Sequence, residues 1–145
     1  MPIAVRTAET TWTDSLAKGS GTLSGGSGAL NALPVTWAAR TEDPGGKTSP
    51  EELAAAAHSS CFSMALALLL GENKTPPGEL VVTAAVTLDE VDGRPTIVSS
   101  ELTVKGQVEG LDHEGFKKIV DQAAELCPIS RLFAGTKITV NVTES

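Results

Sequence analysis

Cysteine is the residue type in this chain most suited to redox chemistry, and the chain contains two cysteines, Cys61 and Cys127. Cys61 lies in the middle of the apolar segment 53–70, and Cys127 stands directly before Pro128, at the end of a second helical pattern. Free cysteine is among the most buried residue types, so the two could be inert core thiols. They could instead be a working pair, in which Cys127 attacks a sulfenic acid formed on Cys61.

A reactive thiol needs a nearby positive charge to favour its thiolate, and Arg40 and Arg131 are the candidate cations. Glu51, in the first turn of the helix that carries Cys61, could hold such an arginine. It lies about 15 Å from Cys61 along a straight helix at ~1.5 Å per residue, so the two cannot touch. Glu51 can therefore serve Cys61 only through a long side chain such as Arg40, or from the antiparallel helix of a partner chain.

Polar neighbours of Cys61 leave other chemistries open. His58 precedes Cys61 by one helical turn and could share its face, as in a Cys–His hydrolase. His58, Cys61 and Cys127 could also supply three zinc ligands, although their spacing lacks the paired pattern typical of such sites. Three serines that are unusual in an apolar core surround the thiol: Ser59, Ser60 and Ser63.

A long helix must position Cys61. Ser49-Pro50-Glu51-Glu52 predicts a capping box, with Ser49 at the N-cap, Pro50 at the first helical position and Glu52 at the third. The helix is expected to run to about Leu70 and to stop near Gly71. Its residues are apolar or small nearly all round, which predicts burial on most faces. A homodimer would provide the cover that such a helix needs.

Shorter elements precede that helix. A strand is expected over residues 3–12, and the Gly- and Ser-rich residues 18–28 predict a turn between short strands. Residues 35–40 alternate in the manner of a strand, with Arg40 on the face opposite Trp37.

The second half of the chain predicts a hairpin, a helix and a last strand. Asp92-Gly93 separates two β-branched segments, 80–91 and 96–108. Asp112 is expected to cap a helix whose apolar stripe ends at Cys127, and Pro128 then ends the helix. A strand follows over residues 136–143. The fold class is therefore α+β, a single domain over residues 1–145 with helices on one side of antiparallel sheet.

Charge and composition narrow the range of partners. The net charge is −7, which disfavours nucleic acid and anionic membranes. The first twelve residues lack the apolar segment of a secretory signal, and the longest uninterrupted apolar run, residues 64–70, is too short to span a bilayer. A cytoplasmic location is expected, where a cysteine pair is more often catalytic than structural.

Two segments resemble the OsmC/Ohr family of thiol peroxidases. They are residues 50–66, which contain Ala57-His58-Ser59-Ser60-Cys61-Phe62, and the segment Cys127-Pro128-Ile129-Ser130. The turn at residues 88–93 and Trp12 with Gly19-x-Gly21 look more like the OsmC branch than the Ohr branch.

This resemblance implies an intertwined homodimer with long central helices packed between antiparallel sheets. It implies reduction of organic hydroperoxides without metal, cofactor or prosthetic group. By position, Cys61 would be the peroxidatic cysteine and Cys127 the resolving one. Glu51 would hold an arginine, Arg40, near the thiolate, and the reductant would be a dithiol, for which the resemblance suggests the lipoyl type.

Two further expectations follow. Apolar residues near Cys61, namely Phe62, Met64 and Leu66, could favour hydrophobic peroxides. The alternatives to a peroxidase are a ligand-binding or structural dimer with inert cysteines and the Cys–His hydrolase, in which His58→Ala would abolish activity. A peroxidase would tolerate that substitution.

Overall fold

The computed structural model describes residues 1–144, which form two compact units, Met1–Leu53 and the residues from Ala54 onward. The elements are β1 (Ala8–Thr13), β2 (Ser20–Gly25), β3 (Leu33–Val35), α1 (Trp37–Thr41), α2 (Pro50–Glu72), β4 (Glu79–Val91), β5 (Arg94–Gln107), α3 (His113–Leu126), α4 (Pro128–Leu132) and β6 (Lys137–Glu144). The boundary between the units falls within α2.

The first unit contains an antiparallel sheet in the order β1-β2-β3. β2 lies inside the segment predicted as a turn, because its small residues pair on both sides. Gly21 pairs with both Trp12 and Val35. A Cβ at Gly21 would stand 2.8 Å from Val35 Cγ2 and 2.9 Å from Trp12 Cε3, so these neighbours require glycine in a strand.

The strand predicted over residues 35–40 is wrong beyond Val35. Thr36 caps a helical turn by accepting a hydrogen bond from Ala39 N–H at 3.0 Å, and α1 follows. Trp37 and Arg40 are then one turn apart, and the Arg40 Cζ atom lies over the Trp37 ring at 5.7 Å from its centroid. Arg40 is therefore on the same side as Trp37 rather than on the opposite face.

α2 begins where the sequence predicts. Ser49 Oγ accepts a hydrogen bond from Glu52 N–H at 3.1 Å, which confirms Ser49 as the cap. The Glu52 carboxylate, expected to complete the capping box, instead accepts the Thr48 hydroxyl at 2.5 Å. Among residues 1–144, α2 is the one helix long and apolar enough to cross a membrane. The uninterrupted apolar run of residues 64–70 is shorter because Ser and Gly residues interrupt the helix, but they scarcely reduce its mean hydropathy. Core helices of soluble proteins meet the same test.

Burial along α2 is restricted to one face. Phe62, Leu66 and Leu70 are fully buried, while Met64 is 73% and Leu68 54% exposed in the single chain. The expectation that most faces of α2 are buried is therefore wrong within a single chain, because the other elements of that chain cover only one face of the helix.

The second unit contains a sheet in the order β4-β5-β6. The predicted hairpin is confirmed. Its loop is Asp92-Gly93 alone, with φ of 53° and 76°, the left-handed conformations that a two-residue type I′ turn requires. β6 runs parallel to β5, so the sheet is mixed rather than wholly antiparallel. The connection between them contains α3 and α4, as a parallel pairing demands.

Helix α3 packs the core of the second unit. Asp112 caps it by accepting a hydrogen bond from Gly115 N–H at 2.7 Å, as predicted. Its apolar stripe joins residues of α2 and β5 in one core, and Cys127 at its end is fully buried. Pro128 ends α3, as expected, but it also starts α4, which the sequence analysis did not predict. The two-sheet α+β class is thus confirmed.

Candidate active site

In the first unit, Arg40 and Glu51 form a bidentate ion pair. Arg40 Nε donates to Glu51 Oε1 at 2.9 Å and to Oε2 at 3.2 Å, and Nη2 donates to Oε2 at 2.8 Å. The side chains are 29% and 10% exposed. The first turn of α2 supplies Glu51 and α1 supplies Arg40, so the pair that the sequence suggested is present.

The carboxylate and an aromatic ring together fix the guanidinium. The hydrogen bonds that Arg40 donates to Glu51 hold the pKa of Arg40 above its ordinary value, against the effect of partial burial. A cavity of about 400 Å³ adjoins Arg40, and its walls are largely apolar. Its lining includes Trp12, Leu16, Val35, Trp37 and Leu53.

In the second unit, the two cysteines are neighbours although they are far apart in sequence. Cys61, on α2, is partly buried, while Cys127, between α3 and α4, is fully buried. Both thiols are free, and Cys127 lies close enough to Cys61 to raise the pKa of the Cys61 thiol. The backbone N–H of Ile129, two residues after Cys127, lies close enough to the sulfur of Cys61 to favour its thiolate. The structure therefore juxtaposes the thiols that a redox pair would require.

The surroundings of Cys61 oppose ionisation. Burial raises the pKa of the Cys61 thiol, and the adjacent Cys127 raises it further, whereas the N–H of Ile129 partly offsets these effects. A thiolate at neutral pH therefore requires an additional cation.

The polar residues around Cys61 serve the helix and its core. Ser60 Oγ donates to the Ala56 carbonyl at 2.7 Å, and Ser63 Oγ to that of Ser59 at 2.7 Å. These bonds back to the preceding turn explain why serine is tolerated beside the core. They provide no polar environment for the thiol.

His58 is fully buried and engaged at both ring nitrogens. Nδ1 lies 2.6 Å from Ser100 Oγ, and Nε2 lies 2.8 Å from Ser130 Oγ. No ring nitrogen is thus left to act as a base for Cys61, which argues against the Cys–His hydrolase. The tolerance expected of His58→Ala also no longer follows.

Arg131, the other candidate cation, is exposed in the last turn of α4. Two partners of His58 were not predicted as site residues. Ser100 carries no signal in a β-branched strand, and Ser130 was given no role although it ends the motif Cys127-Pro128-Ile129-Ser130. Phe62 and Leu66 are core residues rather than peroxide contacts. Within residues 1–144 no group of three His, Cys, Asp or Glu side chains is arranged to hold a metal ion.

Comparisons with known proteins identify the family. Residues 43–143 match the family model described as OsmC-like protein. The chain belongs to the OsmC family. It is 41% identical to the peroxiredoxin OsmC of Escherichia coli over 121 residues, which cover 83% of this chain and 84% of that protein.

Two further relatives extend the comparison. An organic hydroperoxide resistance protein-like protein of Staphylococcus epidermidis is 34% identical over 113 residues, 77% of this chain and 79% of its own length. The crystal structure of an organic hydroperoxide resistance protein from Elizabethkingia anophelis superposes with a TM-score of 0.77 at 25% identity, covering 99% of this chain and 100% of that one.

Proposed function

We propose that this protein is a thiol-dependent peroxidase that reduces organic hydroperoxides to alcohols, with Cys61 as the peroxidatic and Cys127 as the resolving cysteine. The observation that carries the proposal is the pair of neighbouring free thiols in a chain of the OsmC family. Two elements that are distant in sequence bring these thiols together, as a redox pair requires.

The reaction proceeds in two steps. The Cys61 thiolate attacks the terminal oxygen of the hydroperoxide, the O–O bond breaks, and the alkoxide takes a proton and leaves as the alcohol. Cys61 is then a sulfenic acid, oxidised by two electrons. The thiolate of Cys127 attacks its sulfur, the S–O bond breaks, water leaves, and a disulfide remains.

Reopening this disulfide takes two electrons from a dithiol reductant. A lipoyl-type dithiol is the class that the family resemblance favours. The dithiol attacks one sulfur, releases one cysteine thiolate, and closes its own disulfide as it releases the second.

Arg40 and Glu51 are proposed as the groups that activate Cys61, within one chain or across a dimer. The positive charge of Arg40 would lower the thiol pKa, which burial raises, and would stabilise negative charge on the departing oxygen. Glu51 would act through Arg40 by fixing its guanidinium. The hydrogen bonds from Nε and Nη2 to the carboxylate support this role, since they orient the remaining N–H group.

The cavity beside Arg40 is proposed to accept the organic part of the substrate. Its aromatic and aliphatic lining suits an alkyl or aryl group, and the guanidinium beside it suits the peroxide end. Hydrogen peroxide has no group to place there, so it should be a poorer substrate.

A homodimer is proposed as the working assembly. Met64 and Leu68 lie one turn apart on the exposed face of α2, in line with the small residues Ala57 and Ser60. A second copy of this helix packed against that face would cover it, since small residues allow close approach. The protein is further proposed to act as one functional domain over residues 1–145 and in the cytoplasm, where its free thiols would stay reduced.

Stoichiometric oxidation tests this function. One equivalent of cumene hydroperoxide or hydrogen peroxide is added to the reduced protein, and the thiols are mapped by non-reducing peptide mass spectrometry. We expect an intrachain Cys61–Cys127 disulfide that forms faster with cumene hydroperoxide. Cys127→Ser should stop at the sulfenic acid, and Cys61→Ser should not react. Two free thiols in the wild type after minutes of exposure would instead support a binding or structural dimer.

A further inference from the structure

His58 lies at the centre of a polar cluster inside the second unit. Its ring bonds to Ser100 on β5 and to Ser130 on α4, and the edge of the Phe133 ring stands 5.3 Å away, centroid to centroid, at 78°. Ser100 and Ser130 are themselves buried, so three elements meet through one imidazole.

The two hydrogen bonds of His58 must have opposite directions. Burial lowers the pKa of His58, so the ring is neutral at physiological pH. A neutral imidazole has one N–H donor and one acceptor nitrogen. One serine hydroxyl therefore donates to the ring and the other accepts from it, and neither serine can be lost without leaving a buried ring nitrogen unpaired.

His58 links α2 to the same short segment that carries the second thiol. On α2, His58 and Cys61 are one turn apart. On the other side, Cys127 and Ser130 are also three residues apart, with Ile129 between them. Two contacts therefore join α2 to this segment, one from His58 to Ser130 and one from Cys61 to Cys127 and Ile129. The first contact does not involve the sulfur of Cys61.

We propose that His58 is a positioning residue, which through Ser130 holds the Cys127 segment against α2 so that the disulfide with Cys61 closes rapidly. The proposal rests on the resolving role proposed above for Cys127. Ser100 anchors the other side of the ring to β5, so that the imidazole cannot swing with the segment.

The consequence for the reaction concerns its second step alone. Attack of peroxide on Cys61 does not involve Ser130 or His58. Closure requires the Cys127 sulfur to reach the sulfenic sulfur and displace its oxygen as water. Loss of the link lets the segment move away and lowers the effective concentration of Cys127. The sulfenic acid then survives longer and meets a second peroxide, which oxidises it to sulfinic acid.

The test separates the two steps. Wild type, Ser130→Ala and His58→Gln are each mixed with cumene hydroperoxide and quenched at intervals with dimedone, and sulfenic acid and disulfide are quantified by mass spectrometry. Val120→Ala is the matched control, because Val120 is a fully buried core residue with no part in the cluster. Melting temperatures are recorded for all four proteins.

We expect sulfenic acid to form within about threefold of the wild-type rate in Ser130→Ala and His58→Gln, while disulfide closure slows at least tenfold and sulfinic acid accumulates. Val120→Ala should melt at a lower temperature without changing the ratio of the two rates.

Three results would overturn the inference. If Ser130→Ala and His58→Gln both close the disulfide at the wild-type rate, the inference about His58 is wrong while the proposed function stands. A parallel fall in both steps, scaling with melting temperature as in Val120→Ala, would make His58 a packing residue only. A wild-type protein that forms no Cys61–Cys127 disulfide would overturn the proposed function, and this inference with it.

Discussion

At the scale of single residues, the main electrostatic problem is the ionisation of Cys61. Burial and the neighbouring thiol both raise its pKa. A cation about 4 Å from a thiolate contributes about 4 kcal/mol at an effective dielectric constant of 20, which corresponds to about three pKa units. One arginine at that distance would therefore act strongly against the effect of burial, and Arg40, fixed by Glu51, is the one proposed.

Removing that charge should alter the pH profile of oxidation. We expect Arg40→Ala to slow the reaction of Cys61 with cumene hydroperoxide at least tenfold at pH 7 and to move the midpoint of its rise to higher pH. Glu51→Gln should have a smaller effect, because the guanidinium keeps its charge but loses its orientation. Rapid-mixing rates between pH 5 and 10 give both quantities. Arg131→Ala is the control, and a loss confined to that variant would transfer the role to Arg131.

His58 should make folding stability depend on pH. Because burial lowers its pKa, the unfolded chain binds a proton more readily than the folded one. The stability contributed by the neutral ring is complete above about pH 6.5 and is lost as the pH falls below that value. Between pH 6.5 and 5, the free energy of unfolding should fall more steeply in the wild type than in His58→Gln, by up to about 1.4 kcal/mol per pH unit.

Urea unfolding of both proteins at matched pH values measures this difference, since their carboxylates contribute equally to each. Parallel pH profiles would show that His58 is protonated as easily in the folded chain as in the unfolded one.

At the scale of elements, capping residues and turn residues were predicted well from sequence. Ser49 and Asp112 cap α2 and α3, and Asp92-Gly93 forms the hairpin loop. The α1 turn was missed because six alternating residues are too few to separate a strand from a single capped turn. The direction of β6 has no local signature, since side-chain alternation is the same in parallel and antiparallel strands.

The candidate site was only partly predictable, because its geometry depends on contacts between elements that are distant in sequence. Residue type and motif identify Cys61, Cys127, Arg40 and Glu51, but that the thiols meet depends on packing between distant elements. Ser100 could not be found, because a single serine in a strand has no distinguishing pattern.

The cap of α3 gives a prediction at this scale. Asp112→Ala should lower the free energy of unfolding by about 1 kcal/mol, because Gly115 N–H loses its acceptor. Asp121→Ala, which removes an exposed ion pair with Lys117 in the same helix, should cost less than about 0.5 kcal/mol. Urea denaturation distinguishes the two, and equal losses would mean that the cap contributes no more than a surface charge.

At the scale of the whole molecule, the exposed face of α2 is the surface on which we propose that a second copy of the chain packs. Met64→Glu and Leu68→Glu each place a charge where the proposed homodimer packs, so we expect both variants to be monomeric at micromolar concentration. Sedimentation velocity measures this. Val91→Glu, an exposed apolar residue beside the hairpin loop, should leave the assembly unchanged. Variants that sediment as the wild type does would place the interface elsewhere.

The neighbouring thiols of Cys61 and Cys127 enclose a chain segment of about 66 residues, and closing a loop of that length removes conformational entropy from the unfolded chain. In the chain-entropy model, this stabilises the folded protein by about 4 kcal/mol when the bond forms without strain. The oxidised protein should then melt on the order of 10 °C above the reduced one. Calorimetry of the two forms measures this difference, and equal melting temperatures would mean that strain cancels the gain. Each catalytic cycle would raise the stability of the fold when the disulfide forms and lower it again when the reductant opens the disulfide. A melting curve would therefore report the fraction of the protein that is in the oxidised form.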